Sequence, residues 1–308
     1  IMTGAALPAG ADCIVPVERI SIRDGLATLE DGYDAQERQF IHARASDHAA
    51  GTRLLAPGKH ISALDIAVIA SAGLTDVAVT RAPVIRVLST GDELVPAGEP
   101  IEDHQIRMSN GPATIALLGR HGYHDCAHDH LADEPDVLEE RIAAHLDEAD
   151  VLVLSGGVSM GKADYVPEVL ARLGVEVVFH KVSQRPGKPM WFGTAPGNKV
   201  VFALPGNPVS ALVCCRQYVV PALEKASGDT ESAPEFAALA GEVTFKPDLT
   251  CFQPVKLVSN AVGQVLAMPV MTKTSGDFAA LSGTDGYVEL AREQSHFPTG
   301  SPVRLYRW

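Results

Sequence analysis

Two apolar runs constrain this chain more than any other feature: VLVLS at 151–155 and VVFAL at 200–204. Each is almost free of polar side chains and leads directly into a glycine-containing loop. Such a run reads as a strand buried on both faces, which implies a parallel sheet covered by helices on either side. The neighbouring pattern agrees. VIRVLS at 84–89 predicts another short strand, and GPATIALLGRHG has helical spacing that stops at Gly122. Tyr123 to His128 predicts a strand, Glu134 to Leu146 a polar amphipathic helix, and Tyr165 to Leu173 a helix stopped by Gly174. A long helix is predicted from Val209 to Lys225. Repeated strand–helix alternation defines a doubly wound α/β domain over 80–229.

The flanks read differently. CIVPVERISI and LATLE surround Arg23-Asp24-Gly25, a hairpin signal, and Ser62-Ala-Leu-Asp65 fits a capping box ahead of a short helix closed by Gly73. Residues 229–235 read as a polar linker. Beyond it, GEVTF, PVKLV, QVLAMPV, GYVEL and PVRLY are short β-like runs separated by turn residues, as in a small barrel or sandwich.

Charge and cysteine usage exclude some classes. With 25 basic against 38 acidic residues the net charge is −13, which argues against a nucleic-acid partner. No segment has the uninterrupted apolar length of a membrane span, and no signal peptide is visible. Cys13, Cys126, Cys214, Cys215 and Cys251 have no CxxC spacing, so the expectation is a reduced, cytoplasmic protein. His121, His124, His128 and His130 cluster near Cys126, but strand alternation would put His124, Cys126 and His128 on one face and His121 elsewhere.

Four loops carry chemistry, and ligands of open α/β sheets bind beyond the carboxyl ends of strands. Gly91-Asp92-Glu93 offers a close backbone approach and two carboxylates, either for a metal or as an ordinary solvated turn. Ser155-Gly156-Gly157-Val158-Ser159-Met160-Gly161 precedes a helix and resembles a phosphate cradle, without the GK[ST] ending of a Walker loop. Asp164 beyond it is either a helix cap or a Mg²⁺ ligand. Arg185-Pro186-Gly187-Lys188-Pro189 is a stiffened loop with two cations, suited to an oxyanion. Pro205-Gly206-Asn207-Pro208-Val209-Ser210 opens the long helix and presents its N-terminal end to an anion. Trp191 and Phe192 read as core.

Taken together and in this order, IMTGAALPAGAD at 1–12, LSTGDEL at 88–94, SGGVSMGKADY at 155–165, RPGKP at 185–189 and LPGNPVSAL at 204–212 closely resemble the MoeA-type molybdopterin molybdenumtransferases and the E domain of gephyrin-like proteins. The resemblance spans essentially the whole chain. MogA-type adenylyltransferases and CinA-like proteins share only the α/β part. It implies a multidomain α/β-plus-β protein: a β-rich part of domain II at 1–50, part of elongated domain I at 51–79, a MogA-like molybdopterin-binding domain III at 80–229 and a C-terminal β-barrel domain IV at 230–308. It also implies a further segment ahead of Ile1, so that the chain reads as N-terminally shortened.

The implied reaction is insertion of molybdate into adenylylated molybdopterin with release of AMP, assisted by Mg²⁺, in a homodimer. A molybdopterin adenylyltransferase and molybdoenzyme apoproteins are the implied partners. The resemblance assigns catalytic roles to Asp47, Glu93, Asp133, Asp164, Lys181, Arg185 and Lys188, with Glu93 and Asp164 at the metal and Lys188 at molybdate. It assigns substrate binding to Thr3, Gly91, Asp92, Ser155, Gly156, Gly157, Ser159, Gly161, Pro189, Pro205, Gly206, Asn207, Pro208, Ser210 and Ser275. The chain departs from the family pattern at Arg185, where lysine is usual, and at Lys162, where an acid is common. Met108 stands in place of an aspartate, His42 in place of an arginine, and Pro254 in place of another arginine, for which Lys256 or Lys273 is a candidate substitute. The alternatives are a MogA-like adenylyltransferase, which would use ATP and bare molybdopterin, and a degenerate scaffold that binds without turnover.

Overall fold

The computed structural model describes residues 1–157, 165–229, 233–274 and 276–308. They fall into two units, Ile1–Ala56 and Pro57–Trp308.

In the first unit, β1 (Ile20–Arg23) and β2 (Leu26–Leu29) form the expected antiparallel hairpin. Asp24 and Gly25 both have positive φ (48° and 77°), the backbone that a two-residue turn matching strand twist requires.

The second unit opens with α1 (Ala63–Ser71), whose capping box is complete: the Ser62 hydroxyl accepts from the Asp65 amide while the Asp65 carboxylate accepts from the Ser62 amide. There follow β3 (Ile85–Thr90), β4 (Leu94–Val95), β5 (Ile106–Arg107), α2 (Asn110–Arg120), β6 (Cys126–Leu131), α3 (Pro135–Glu148), β7 (Val151–Ser155) and α4 (Val166–Arg172). Next come β8 (Glu176–His180), β9 (Gln184–Arg185), β10 (Trp191–Ala195), β11 (Lys199–Leu204) and α5 (Pro208–Cys214). A π-turn at Cys215–Val219 leads into α6 (Val220–Ala226).

The central sheet has the order β6-β3-β7-β11-β10-β8; β6, β3, β7 and β11 are parallel, β10 pairs antiparallel with β11, and β8 pairs antiparallel with β10. Its faces are covered by different helices. Ile85, Val87, Val151, Val153, Phe202 and Leu204 meet α2, α5 and α6, whereas Leu88, Leu152, Leu154, Val201 and Ala203 meet α3 and α4. Successive side chains of β7 therefore enter two different cores, which is why VLVLS has no polar face.

The C-terminal part contains β12 (Glu235–Leu239), β13 (Val243–Thr244), β14 (Thr250–Ser259), β15 (Val265–Pro269), α7 (Phe278–Leu281), β16 (Gly286–Leu290), β17 (His296–Phe297) and β18 (Pro302–Arg307). The order β15-β12-β18-β16-β14 closes through β14–β15 pairing into a five-stranded barrel, and β9 lies parallel to β14 on its outside.

Four expectations are corrected. The strand expected at 123–128 is β6 at Cys126–Leu131, so Cys126, His128 and His130 share a face and His124 lies ahead of the strand. The reason is that Tyr123 is used in the turn, its amide donating to Leu118 O at 3.0 Å. The helix expected from Val209 to Lys225 is present over that span but is not a uniform α-helix: it widens into the π-turn because Pro221 has no N–H to donate, and the Val220 amide reaches back to Cys215 O instead. The linker expected through residue 235 ends earlier, since Glu235 already pairs with Leu305 in the barrel. Finally, β8, β9 and β10 occupy a stretch read only as a cation loop with core aromatics. Trp191 is indeed buried, while Phe192 is partly buried and stacks 4.7 Å from Phe202.

Candidate functional site

The loops after β3, β7 and β11 meet at the carboxyl ends of their strands, and one side chain ties them. Asn110, the first residue of α2, donates from Nδ2 to Ser155 Oγ at 2.8 Å and to the Gly206 carbonyl at 2.7 Å. Its Oδ1 and the Thr90 hydroxyl are buried with no hydrogen-bond partner among the described residues. Gly156 has φ +101°, and a Cβ there would lie 2.6 Å from the Thr90 carbonyl, so the backbone pairs at a distance that only glycine permits. Two buried polar atoms without partners, beside closely approaching backbone, suit a polar ligand.

The acidic loop is braced from β6. His130 Nε2 is hydrogen-bonded to the Gly91 carbonyl at 2.8 Å, and the Asp133 amide donates to Asp92 Oδ1 at 3.0 Å. Glu93 and Asp92 are solvent-exposed. His128 Nε2 is hydrogen-bonded to the buried Ser89 hydroxyl at 2.9 Å, and burial lowers its pKa. His128 and His130 are therefore spent on bracing strands and loop; among the described residues no group of three or more His, Cys, Asp or Glu side chains converges as a metal site.

A second feature adjoins the start of α5. A pocket of about 860 Å³ lies between the RPGKP loop, the start of α5 and the barrel. Arg185, Lys188, Pro189 and Ser210 line it together with Thr272, Lys273 and Thr274. Among the described residues its charged lining is three cations, Arg185, Lys188 and Lys273, against one acid, Glu242. Pro254 also lines it, as does Lys273, whereas Lys256 is not among the lining residues.

Of the residues that the sequence singled out, the structure gathers Gly91, Asp92, Glu93 and Asp133 at one loop pair. Ser155, Gly156, Gly157, Pro205, Gly206, Asn207 and Pro208 lie at the adjacent strand ends. Lys181 is exposed with φ +70° and does not line the pocket. Thr3 and Asp47 belong to the first unit, where Asp47 Oδ2 lies 3.2 Å from His42 Nε2. Ser159, Gly161, Lys162, Asp164 and Ser275 lie outside the described residues. Met108 is buried, so an apolar residue at that position is packed inside rather than presented to a ligand. Sequence reading missed Asn110 and Thr90. The signal for Asn110 was its place as the asparagine of the family's Asp-Ser-Asn pattern, here Met108-Ser109-Asn110, and that for Thr90 its place in the Ser89–Leu94 loop.

Comparison with known proteins covers all parts of the chain. Residues 1–73 match the MoeA N-terminal region (domain I and II), 86–225 the probable molybdopterin binding domain, and 237–308 the MoeA C-terminal region (domain IV). The molybdopterin molybdenumtransferase of Synechocystis sp. is 38% identical over 309 aligned residues, covering 100% of this chain and 77% of that protein. That of Synechococcus elongatus is 34% identical, covering 99% of this chain and 75% of that protein. The crystal structure of the molybdopterin biosynthesis MoeA protein from Pyrococcus horikosii superimposes with a TM-score of 0.78 at 28% identity, covering 98% of this chain and 73% of that one. With both its sequence and its multidomain α/β-plus-barrel fold matched along its full length, the chain belongs to the molybdopterin molybdenumtransferase family of molybdenum cofactor biosynthesis.

Proposed function

We propose that this chain inserts molybdate into adenylylated molybdopterin and releases AMP. The two dithiolene thiols replace one molybdate oxygen, which leaves as water, and a second water cleaves the phosphoanhydride to free AMP. The observation that carries the reading is the cationic pocket in a chain of net charge −13: Arg185, Lys188 and Lys273 line it. Guanidinium and ammonium groups with nearby hydroxyls are the donors that a tetrahedral oxyanion needs. The crevice at Thr90, Asn110, Ser155 and Gly156 would take the pterin–nucleotide part, with the Asn110 Oδ1 and Thr90 hydroxyl meeting its polar groups.

Mg²⁺ fits the carboxylates present. Mg²⁺ is held by one or two carboxylates plus substrate phosphates rather than by a protein cage. The exposed Glu93, on a loop braced by Asp133 and His130, would supply one such oxygen, and Asp164 is the second candidate by resemblance. Bound there, the ion would neutralise phosphate charge. Thr3 and Asp47 are proposed site residues on the strength of the family match at 1–73. Lys181 and Ser275 are proposed by resemblance alone.

Two copies of the chain are proposed to work together in the cytoplasm, with an adenylyltransferase supplying the substrate and a molybdoenzyme apoprotein receiving the product. No helix among the described residues is long and apolar enough to cross a membrane. The test is AMP release from adenylylated molybdopterin with Mg²⁺, with and without molybdate. Molybdate-dependent release is expected, and Lys188→Ala should lower kcat/KM for molybdate about 10- to 100-fold. ATP-dependent adenylylation of bare molybdopterin would make the chain an adenylyltransferase instead, and substrate binding without turnover would make it a scaffold.

A further inference from the structure

The RPGKP loop is held from beneath by the π-turn. Gln184, immediately before the loop, is buried, and its Nε2 donates to the Pro186 carbonyl at 2.9 Å and points at Cys214 Sγ at 3.6 Å. Its Oε1 accepts from the Tyr218 hydroxyl. The Cys214 thiol in turn lies 3.6 Å from the Gly187 carbonyl. The backbone is pressed close at this point: Gly187 has φ +96°, and a Cβ on it would stand 2.4 Å from Cys214 Sγ and 2.8 Å from Gln184 Nε2. Arg185 and Lys188 project on the exposed side of the same loop.

Tyr218 belongs to the turn at which the helix widens. Its two predecessors there reach the barrel: Arg216 Nε donates to the Arg307 carbonyl at 2.7 Å, and Gln217 Oε1 accepts from the Tyr287 hydroxyl at 2.9 Å. Three consecutive side chains of one π-turn thus contact the loop that carries two of the pocket cations and two strands of the barrel that forms its other wall.

We propose that Tyr218 and Gln184 form a positioning pair, anchored by the π-turn, that preorganises Arg185 and Lys188 for molybdate. Tyr218 is not among the residues that line the pocket, and Gln184, which is, has both ends of its amide engaged by protein groups. The pair removes freedom that the loop would otherwise lose on binding. The inference rests on the reading of this pocket as the molybdate site, and the controls separate the two.

Apparent KM for sodium molybdate and for adenylylated molybdopterin, together with kcat, would be measured in the AMP-release assay for Tyr218→Phe, Gln184→Met and the double variant. Tyr218→Phe keeps the ring, which lies 6.1 Å from that of Phe179, and removes only the hydroxyl. The expected result is a rise of about 3- to 10-fold in KM for molybdate, with kcat and the other KM within about twofold. The two substitutions should be non-additive, the double variant being no worse than Gln184→Met alone. Thermal unfolding of each variant fixes how much is global, and Gln184→Met reads the same quantity should Tyr218→Phe fold poorly. Unchanged molybdate KM, an equal rise in both KM values, or additive effects would each overturn the positioning role. Lys188→Ala is the control on the underlying reading: if it leaves molybdate KM untouched, the pocket assignment fails, whereas a large effect there with none at Tyr218 defeats only the positioning pair.

Discussion

His121 caps the C-terminal end of α2, and its buried Nε2 has no hydrogen-bond partner among the described residues. Burial, reinforced by Arg216 and Arg120, lowers its pKa to about 4. Glu224, whose carboxylate lies 3.8 Å from Nδ1, is too distant to hold the proton by a hydrogen bond. The folded state therefore prefers neutral His121, while the unfolded chain protonates it near its ordinary value of 6.5. Below that value the unfolded state binds more protons, so stability present above pH 6.5 is lost as the pH falls towards 4. The loss should amount to roughly 2–3 kcal/mol. Urea unfolding of the wild type and His121→Gln at pH 7 and pH 4.5 checks this: the pH dependence should flatten in the variant, and an equal slope in both would remove His121 as its source.

At the scale of elements, α2 acts as a clasp through its first residue. Asn110→Ala would leave Ser155 Oγ and the Gly206 carbonyl without that donor. The expected cost is roughly 1–3 kcal/mol, with a raised KM for adenylylated molybdopterin and an unchanged KM for molybdate. Denaturation midpoints with the two KM values decide it, and equal shifts in both KM values would count against the separation of crevice from pocket.

Elements also explain what the sequence made legible. β7 and β11 stand out because burial on two faces removes every polar side chain from the run. β8 lacks such a signature: it is the sheet edge, with Val177 and Val178 more than half exposed, so its apolar residues report no core. The strand-end loops were readable because their glycines sit where backbone must approach backbone, as at Gly156. Asn110 and Thr90 were not, since a single buried hydrogen-bonding group leaves no periodic trace. The π-turn was hidden for a similar reason. Pro221 announces that an amide is missing, but only the Val220-to-Cys215 hydrogen bond shows that the helix widens rather than breaks.

On the scale of the whole molecule, the two units differ in how they are stabilised. Pro57–Trp308 contains the cores of the sheet and the barrel, whereas none of residues 1–56 is buried. Met2, Val17, Ile22, Leu26, Phe40 and Leu54 all expose much of their apolar surface. A segment with no buried side chains has little to offset the entropy of ordering its chain. Its hairpin amides should therefore exchange with solvent well before those of β3, β7 and β11. If two copies assemble as proposed, and the exposed apolar surface is what they cover, protection of β1 and β2 should rise with the dimer fraction while protection of the sheet stays constant. Hydrogen exchange read by mass spectrometry across a dilution series, with mass fixed by light scattering at each concentration, tests both statements. Protection at residues 20–29 that follows the dimer fraction places these residues at the assembly surface. Protection that is indifferent to a demonstrated change of mass would place that surface elsewhere.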